Sequence, residues 1–448
     1  MPDQLDHLTE ALLTAARSAG ADTADALAVR QRSVAIDVRN GALEQAERSE
    51  GVDIGLRVIV GQRQACVSSS VITADAMAEM AERAVAMARE APEDPGVGLA
   101  SPAQFATDLD VARLDLCDPS EEPNPQQLEA DARAAEAAAR EIPGIKQVES
   151  ASTSYGAREI HLATSAGFSA GYDRTDHAIF ASVVAGDDAG MEVDYYGEAR
   201  THAEDLPTPE FVGRTAAERA VARTGARKPK TGSFPVLFDE RVASSLVGHL
   251  TQAINGNAIV RGASWLRDAM GEQVLPETMS LLKEPHRPRT TGSRLYDAEG
   301  LPTETRAIVE NGVLKNWTLD LATARRLSLE STADAARGTG APPQPMLFNL
   351  TLTQGTQTRE ALLSDMGTGL LITSMIGATI NPTTGDYSRG AAGYWVENGV
   401  PTYPVNECTI AGNLRDMLKT LRPANDARTY RSRVVPSLLV EGLTLAGD

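Results

Sequence analysis

Residues 33–69, SVAIDVRNGALEQAERSEGVDIGLRVIVGQRQACVSS, decide the fold class. Val34, Ile36 and Val38 alternate with polar residues as far as Asn40-Gly41. That pair suits a two-residue hairpin because both positions accept positive φ. Val52, Ile54, Leu56, Val58 and Val60 resume the period of two, Gly61 marks another turn, and a third strand runs through Cys66. Period two with one apolar face specifies an antiparallel meander whose apolar side needs a cover. Helices on either side supply it. Leu5, Leu8, Leu12, Ala16 and Ala19 form a helical stripe, with Asp3 placed to cap it and Gly20 to end it. Thr73 opens a second helix running to about Arg89. The unit, residues 1–91, is helix, meander, helix: two layers, α+β.

The order then recurs. A proline-rich linker occupies residues 92–123. Asn124-Pro125-Gln126-Gln127 starts a helix with a cap, a proline at the first position and Gln at the third. A second meander runs from about Ile145 to Arg200, and Thr208-Pro209 starts the closing helix of a second unit, residues 124–225. Both closing helices contain AERAVA, at Ala81–Ala86 and Ala217–Ala222. The matched order, more than the six shared residues, reads as a duplicated unit. Residues 226–448 are mostly strands, with hairpins marked at Asn311-Gly312 and Asn398-Gly399, a short helix capped by Asn413, and a terminal strand at Ser437–Leu445. The expected architecture is two helix–antiparallel-meander–helix units followed by a large β-rich C-terminal domain.

Composition narrows the function. Lys plus Arg number 42 against 61 Asp plus Glu, a net charge of −19 over 448 residues. Such a surface repels nucleic-acid backbones and anionic lipid at long range, so neither is an expected partner. Two short basic stretches, Arg223–Lys230 and His286–Arg294, are rich in Pro, Gly or Thr and read as solvated loops. Three cysteines, Cys66, Cys117 and Cys408, are too few for a disulfide framework, and no Cys-x-x-Cys occurs. The N-terminus carries acids within any apolar run and does not read as a signal peptide. The longest uncharged run, Met366–Gly385, has an apolar centre of only about Leu370–Ile380. It is too short for a bilayer span of ~20 residues and reads as a buried strand. A cytoplasmic, soluble protein is expected.

Two stretches hold candidate chemistry. Gly167-Phe168-Ser169-Ala170-Gly171 fits the Gly-x-Ser-x-Gly nucleophile pattern, but the next segment, Tyr172–Gly186, is another strand. A nucleophile elbow needs a strand-to-helix turn, so a hairpin built of small residues is expected, and the sequence nominates no His and acid to partner Ser169. The second stretch is Val236–Asn255, VLFDERVASSLVGHLTQAIN, a strand entering a helix that carries Ser244, Ser245 and His249. Val242, Leu246, Leu250 and Ala253 form its apolar stripe and His249 falls beside it. Read alone, His249 is a core imidazole. None of the six histidines has a second at His-x-x-x-His spacing, and neither a P-loop nor a dinucleotide fingerprint is present.

Five segments in order carry a resemblance: residues 40–69, then YDAEGLPTETRAIVENGVL at 296–314, MIGATINPTTGDYSRGAAGYWVENGVPTYPV at 375–405, TIAGNLRDML at 409–418 and PSLLVEGLTLAG at 436–447. Together they resemble the TldD/PmbA family, specifically its PmbA branch, also called TldE. The resemblance implies three parts, two smaller and one large and β-rich, and a metalloprotease built from two related subunits. The TldD-type subunit would carry a His-Glu-x-x-x-His helix and a later Cys ligand: imidazoles hold zinc and the Glu acts as base on bound water. Carried onto this chain, the first His falls on Ser244, the Glu on Ser245 and the second His on His249. The segment between Asn425 and Pro436, where the Cys would fall, has none, and Cys408 lies too early. The resemblance thus implies a degenerate metal site, no catalytic residue and no cofactor in this chain, with zinc in a TldD-type partner. The substrate would be unfolded or extended peptides. The family's label as a modulator of DNA gyrase suggests indirect effects through protein turnover. Two other readings stay open: a non-enzymatic peptide-binding or regulatory homodimer, and a hydrolase with a metal site assembled from distant residues.

Overall fold

A computed structural model describes residues 4–187 and 190–447. Helices α1 (Leu5–Ala19) and α2 (Ala74–Glu90) flank the first meander, β1 (Thr23–Arg39), β2 (Ala42–Val60) and β3 (Arg63–Ser69). Helices α3 (Pro125–Arg140) and α4 (Pro209–Ala222) flank the second, β4 (Ile145–Thr164), β5 (Ser169–Asp187) and β6 (Gly190–Arg200). The signals act as their chemistry demands. Asn40 and Gly41 take φ of 55° and 69° at the first hairpin. Thr73, Asn124 and Thr208 each accept a backbone N–H from the first turn of their helices. Gly20 ends α1 at φ 95°. The Asp3 cap falls outside the described residues.

The two meanders are not separate sheets. β1 pairs antiparallel with β4, giving one six-stranded sheet in the order β3-β2-β1-β4-β5-β6. Alternation then assigns its faces. Ala24, Ala26 and Ala28 of β1 pack under α1 and α2, and Val34, Ile36 and Val38 pack under α3. Leu27 and Val29 point the other way, towards the linker and the C-terminal domain. The core under α3 and α4 is built largely of small side chains, including Ala135, Ala139, Ala181, Ala216 and Ala217. The helices therefore come close: a Cβ on Gly213 would sit 1.9 Å from the Ala135 carbonyl oxygen. The proline-rich linker is packed rather than free, with Leu114 and Leu116 buried against the sheet.

In the C-terminal domain β7 (Gly232–Phe238) runs into helix α5 (Glu240–Ala253), and β8 (Gly369–Ile380), β9 (Asp386–Glu397), β10 (Val400–Asn413) and β11 (Leu438–Ala446) follow. The pairings β10–β9, β9–β8, β8–β7, β7–β11 and β11–β10 close into a ring, with only β8–β7 parallel. Val236, Phe238, Leu370, Ile372 and Trp395 face the core under α5, while Leu237, Leu371 and Val396 face a helix at Arg359–Met366. A smaller five-stranded sheet completes the domain. The uncharged run around Leu370–Ile380 is thus a central strand of the ring. The fold is α+β with a large β-rich C-terminal part. Among the described residues no helix is long and apolar enough to cross a membrane.

One expectation needs correcting. His286–Arg294 is a loop, but not a solvated one. Arg287 donates to the carbonyl oxygens of Thr429, Arg431 and Ser432, and Arg294 turns inward over the ring of Phe348, 3.7 Å from its centroid.

Candidate functional site

Helix α5 starts where Asp239 Oδ1 accepts the Arg241 N–H at 3.1 Å and Ser437 Oγ accepts the Glu240 N–H at 3.0 Å. Ala243, Leu246, Val247, Leu250 and Ala253 are its buried stripe. Ser244, Ser245 and His249 lie along its half-buried flank, as the sequence period places them. Ser245 Oγ donates back to the Val242 carbonyl oxygen at 2.7 Å, which satisfies it within its own helix. The His249 ring meets Tyr387 edge-on, 5.7 Å between centroids. Both its nitrogens are buried without a well-formed hydrogen bond among the described residues, the Gln252 side chain offering only a weak one. Burial, then the positive charge of Arg389, push its pKa down to about 4, so the ring is neutral near pH 7.

The rest of the surroundings is equally unlike a cation site. Arg433 Nη1 comes within 3.5 Å of where a Cβ on Gly248 would lie, one residue from His249. Cys408 is buried on β10, where its thiol donates to the Ala391 carbonyl oxygen at 3.1 Å and burial raises its pKa to about 11. The segment from Asn425 to Pro436 gathers cations rather than metal ligands. Arg428 and Arg431 reach Glu198 of β6 at 2.6 and 3.2 Å, and Arg428 also reaches Glu240 at 2.5 Å. A zinc site needs three or four converging N, S or carboxylate donors. One imidazole beside two serines, with Arg389 and Arg433 nearby, does not fit that ion. Among the described residues no group of three or more His, Cys, Asp or Glu side chains is placed to hold a metal.

Comparison with known proteins places this geometry. Three family models cover most of the chain: PmbA/TldA metallopeptidase domain 1 matches residues 24–88, the central domain 118–224 and the C-terminal domain 231–447. The chain belongs to the PmbA/TldD family. It is 34% identical to Metalloprotease PmbA of Escherichia coli O157:H7, over 98% of this chain and 96% of the relative. It is 32% identical to the Metalloprotease PmbA homolog of Haemophilus influenzae, over 97% and 94%. Among solved structures, a protein from Bacteroides thetaiotaomicron named as a candidate modulator of DNA gyrase superposes with a TM-score of 0.88 at 25% identity, covering 99% of this chain and 98% of that one. TldE from Thermococcus kodakarensis shares the fold, with a TM-score of 0.85 at 20% identity over 98% and 100% of the two chains.

The PmbA/TldD fold also brings together residues that sequence reasoning kept apart. Ser169 opens β5 just after a hairpin turn, as expected, yet His161 Nε2 lies 3.4 Å from its Oγ. The other ring nitrogen meets Thr9 Oγ1 at 2.9 Å, so a hydroxyl stands where a triad would need a carboxylate. Cross-strand register supplies this His: His161 is opposite Gly171 in the β4–β5 ladder. A second cluster joins linker and sheet. His177 Nε2 lies 3.1 Å from Asp118 Oδ2, and His202 Nε2 lies 3.3 Å from Asp115 Oδ1. Asp118 also accepts the Ala203 and Ser120 N–H groups, and despite its burial its pKa falls to about 2. This cluster pins the linker; no local motif announces it because its members are up to 87 residues apart.

Proposed function

We propose that this PmbA/TldD-family chain is the metal-free subunit of a two-subunit metalloprotease. In this reading it completes the peptide cleft around the zinc of a TldD-type partner and contributes no catalytic residue. What supports it is α5: the helix is intact, Ser244 and Ser245 occupy the positions that the family resemblance aligns with a His and a Glu, and His249 is a neutral, half-buried ring near Arg389. Extended peptides suit a protein with open strand edges, because backbone hydrogen bonds bind them with little sequence preference. β2 offers one: β3 pairs with it only from Ile54 onward, leaving residues 42–53 paired on one side. The edge strand β6 offers another surface, with Met191, Val193 and Tyr195 exposed.

The test mixes this chain with a TldD-type subunit that has an intact His-Glu-x-x-x-His. The pair is expected to elute as one complex and to cleave an unfolded peptide, and this chain alone to cleave none and to carry no stoichiometric zinc. Cleavage by this chain alone at the rate of the mixture would overturn the reading. So would one tightly bound zinc per chain that is lost in His249→Ala.

A further inference from the structure

A cavity of about 380 Å³ lies between the six-stranded sheet and the C-terminal domain, and no residue of α5 lines it. Its floor is a set of cross-strand pairs on the sheet face opposite the helices: Leu27 with Leu162, Val29 with Ile160, Gln31 with Arg158. These pairs grade from buried and apolar to exposed and polar, so the Gln31–Arg158 end is open to solvent. The roof is Arg294, Tyr296, Arg337 and Phe348.

The roof carries donors with nothing to bind. Tyr296 is 5% exposed and its hydroxyl has no partner among the described residues. Arg294 Nε is buried and unpartnered, and the guanidinium lies over Phe348 with no ion pair among the described residues. Arg337, with a side chain only 1% exposed, gives Nη1 to Asp25 and leaves Nη2 unpartnered. Asp25 cannot neutralise the cavity, because Arg57 already reaches it through Nη2 at 2.5 Å. Asp297 also lines the cavity and its charge is felt by Arg294, but its oxygens are engaged by the N–H groups of Glu299, Leu301 and Ala335 at 2.9, 3.0 and 3.1 Å and it makes no ion pair with Arg294 among the described residues. A water could satisfy single donors, but not the charge on Arg294. A buried guanidinium with no carboxylate in contact is costly, and an anion bound in the cavity would supply that contact.

We propose that this cavity binds a carboxylate carried on a small apolar or aromatic group. The carboxylate would accept from Arg294, Arg337 and Tyr296, and its apolar part would lie on the Leu27–Leu162 and Val29–Ile160 pairs. The volume is at the small end for ligand pockets, ~300–1,000 Å³, which suits one side chain or a single aromatic acid rather than a nucleotide. A free acid and the C-terminal residue of a peptide share this chemistry. The inference is independent of the subunit reading, and its experiment uses this chain alone.

Calorimetric titration of the full chain with 3-phenylpropionate, 3-phenylpropionamide, inorganic phosphate and N-acetyl-Gly-Phe separates the possibilities. The acid is expected to bind at least ~10-fold more tightly than the amide or phosphate, the scale of one charge-assisted hydrogen bond. Arg294→Met is expected to weaken the acid by at least ~10-fold on the same basis, with an unchanged or higher melting midpoint without probe. Tyr296→Phe, which keeps the ring, is expected to weaken the acid and leave the amide unmoved. N-acetyl-Gly-Phe binding as tightly as 3-phenylpropionate would assign a peptide C-terminus, and much weaker binding a free acid. Equal affinity for acid and amide, equal affinity for phosphate, no binding at millimolar acid, or acid binding untouched by both variants would each overturn the proposal.

Discussion

The six-stranded sheet and the five-strand ring use antiparallel pairing in opposite ways. The sheet is open: β2 keeps an unpaired edge along residues 42–53, and β6 ends the other side. The ring closes on itself, because β11 pairs with both β7 and β10, with one-sided stretches at β8 after Ile372 and at β10 before Thr409 among the described residues. Their cores differ too. Beneath α3 and α4 the sheet packs mainly on alanines; the ring packs on Phe238, Tyr387 and Trp395. An open edge is a place where another chain can pair, and closure removes it. Under the function proposed above, the ring would hold α5 in place and the open sheet would supply surface for peptide, partner or ligand.

The sharpest test of the ring's part is Trp395→Ala. Trp395 is fully buried on β9, stacks edge-on against Phe234 at 5.0 Å between centroids, and donates its Nε1–H to Glu397 at 3.2 Å. Removing it deletes a fully buried indole and leaves a cavity, so a loss of ~3–5 kcal/mol is expected in denaturant unfolding. No single truncation of an alanine beneath α3 and α4 can match that, because each has only one methyl to lose. A loss under ~1 kcal/mol for Trp395→Ala would fall below the range for such deletions and would remove the rigidity attributed to the ring.

The sequence displayed some of this contrast and concealed the rest. Turn chemistry was legible because it is local: Asn40-Gly41, Asn311-Gly312 and Asn398-Gly399 all take positive φ at hairpins. The flank of α5 was legible from helical period, which put Ser244, Ser245 and His249 beside the stripe of Leu246 and Leu250. Joining of the two meanders was not legible. Asp25 through Val38 pair with Ala151 through Thr164, over more than 110 residues of separation, and nothing in period two names a strand's partner. His161 lies only eight residues from Ser169, but register across the β4–β5 hairpin brings the two together and no motif spacing names it, while Arg294 turns inward over Phe348 from a loop that reads as basic and solvated.

A smaller effect tests whether the ring holds His249 as tightly as its burial implies. Its folded-state pKa of about 4 lies below the ordinary 6.5. Between those values the unfolded chain binds the proton and the folded chain does not. Stability from this residue is therefore fully present above about pH 6.5 and is lost as pH falls towards about 4. His249→Phe keeps a ring against Tyr387 and removes the titration. Across this window the melting midpoint of the native chain is expected to fall more steeply with rising acidity than that of the variant. Burial lowers the pKa of His161, His177 and His286 as well, so some slope persists in the variant and the difference between the two curves is the measurement. Parallel curves would mean that His249 is solvated when the chain is folded.

The smallest change in stability is expected at the open edge, and there solution behaviour carries the information. Ala42–Gly51 of β2 are exposed, and Glu44, Glu47, Arg48 and Glu50 cover the unpaired ladder with charge. Like-signed or strongly hydrated side chains are the usual guard on such an edge. Glu47→Val with Glu50→Val leaves β strand propensity intact or improved and touches no core, so folding stability is expected to stay within ~0.5 kcal/mol. Removing two carboxylates from the edge should nevertheless promote pairing between copies, seen as concentration-dependent growth in sedimentation. Arg48→Glu, which keeps the charge density, should not. If the double variant stays as monodisperse as the native chain, charge is not what keeps this edge free. The open sheet would then be guarded by its surroundings, and its availability to an extended peptide would have to be sought at β6 instead.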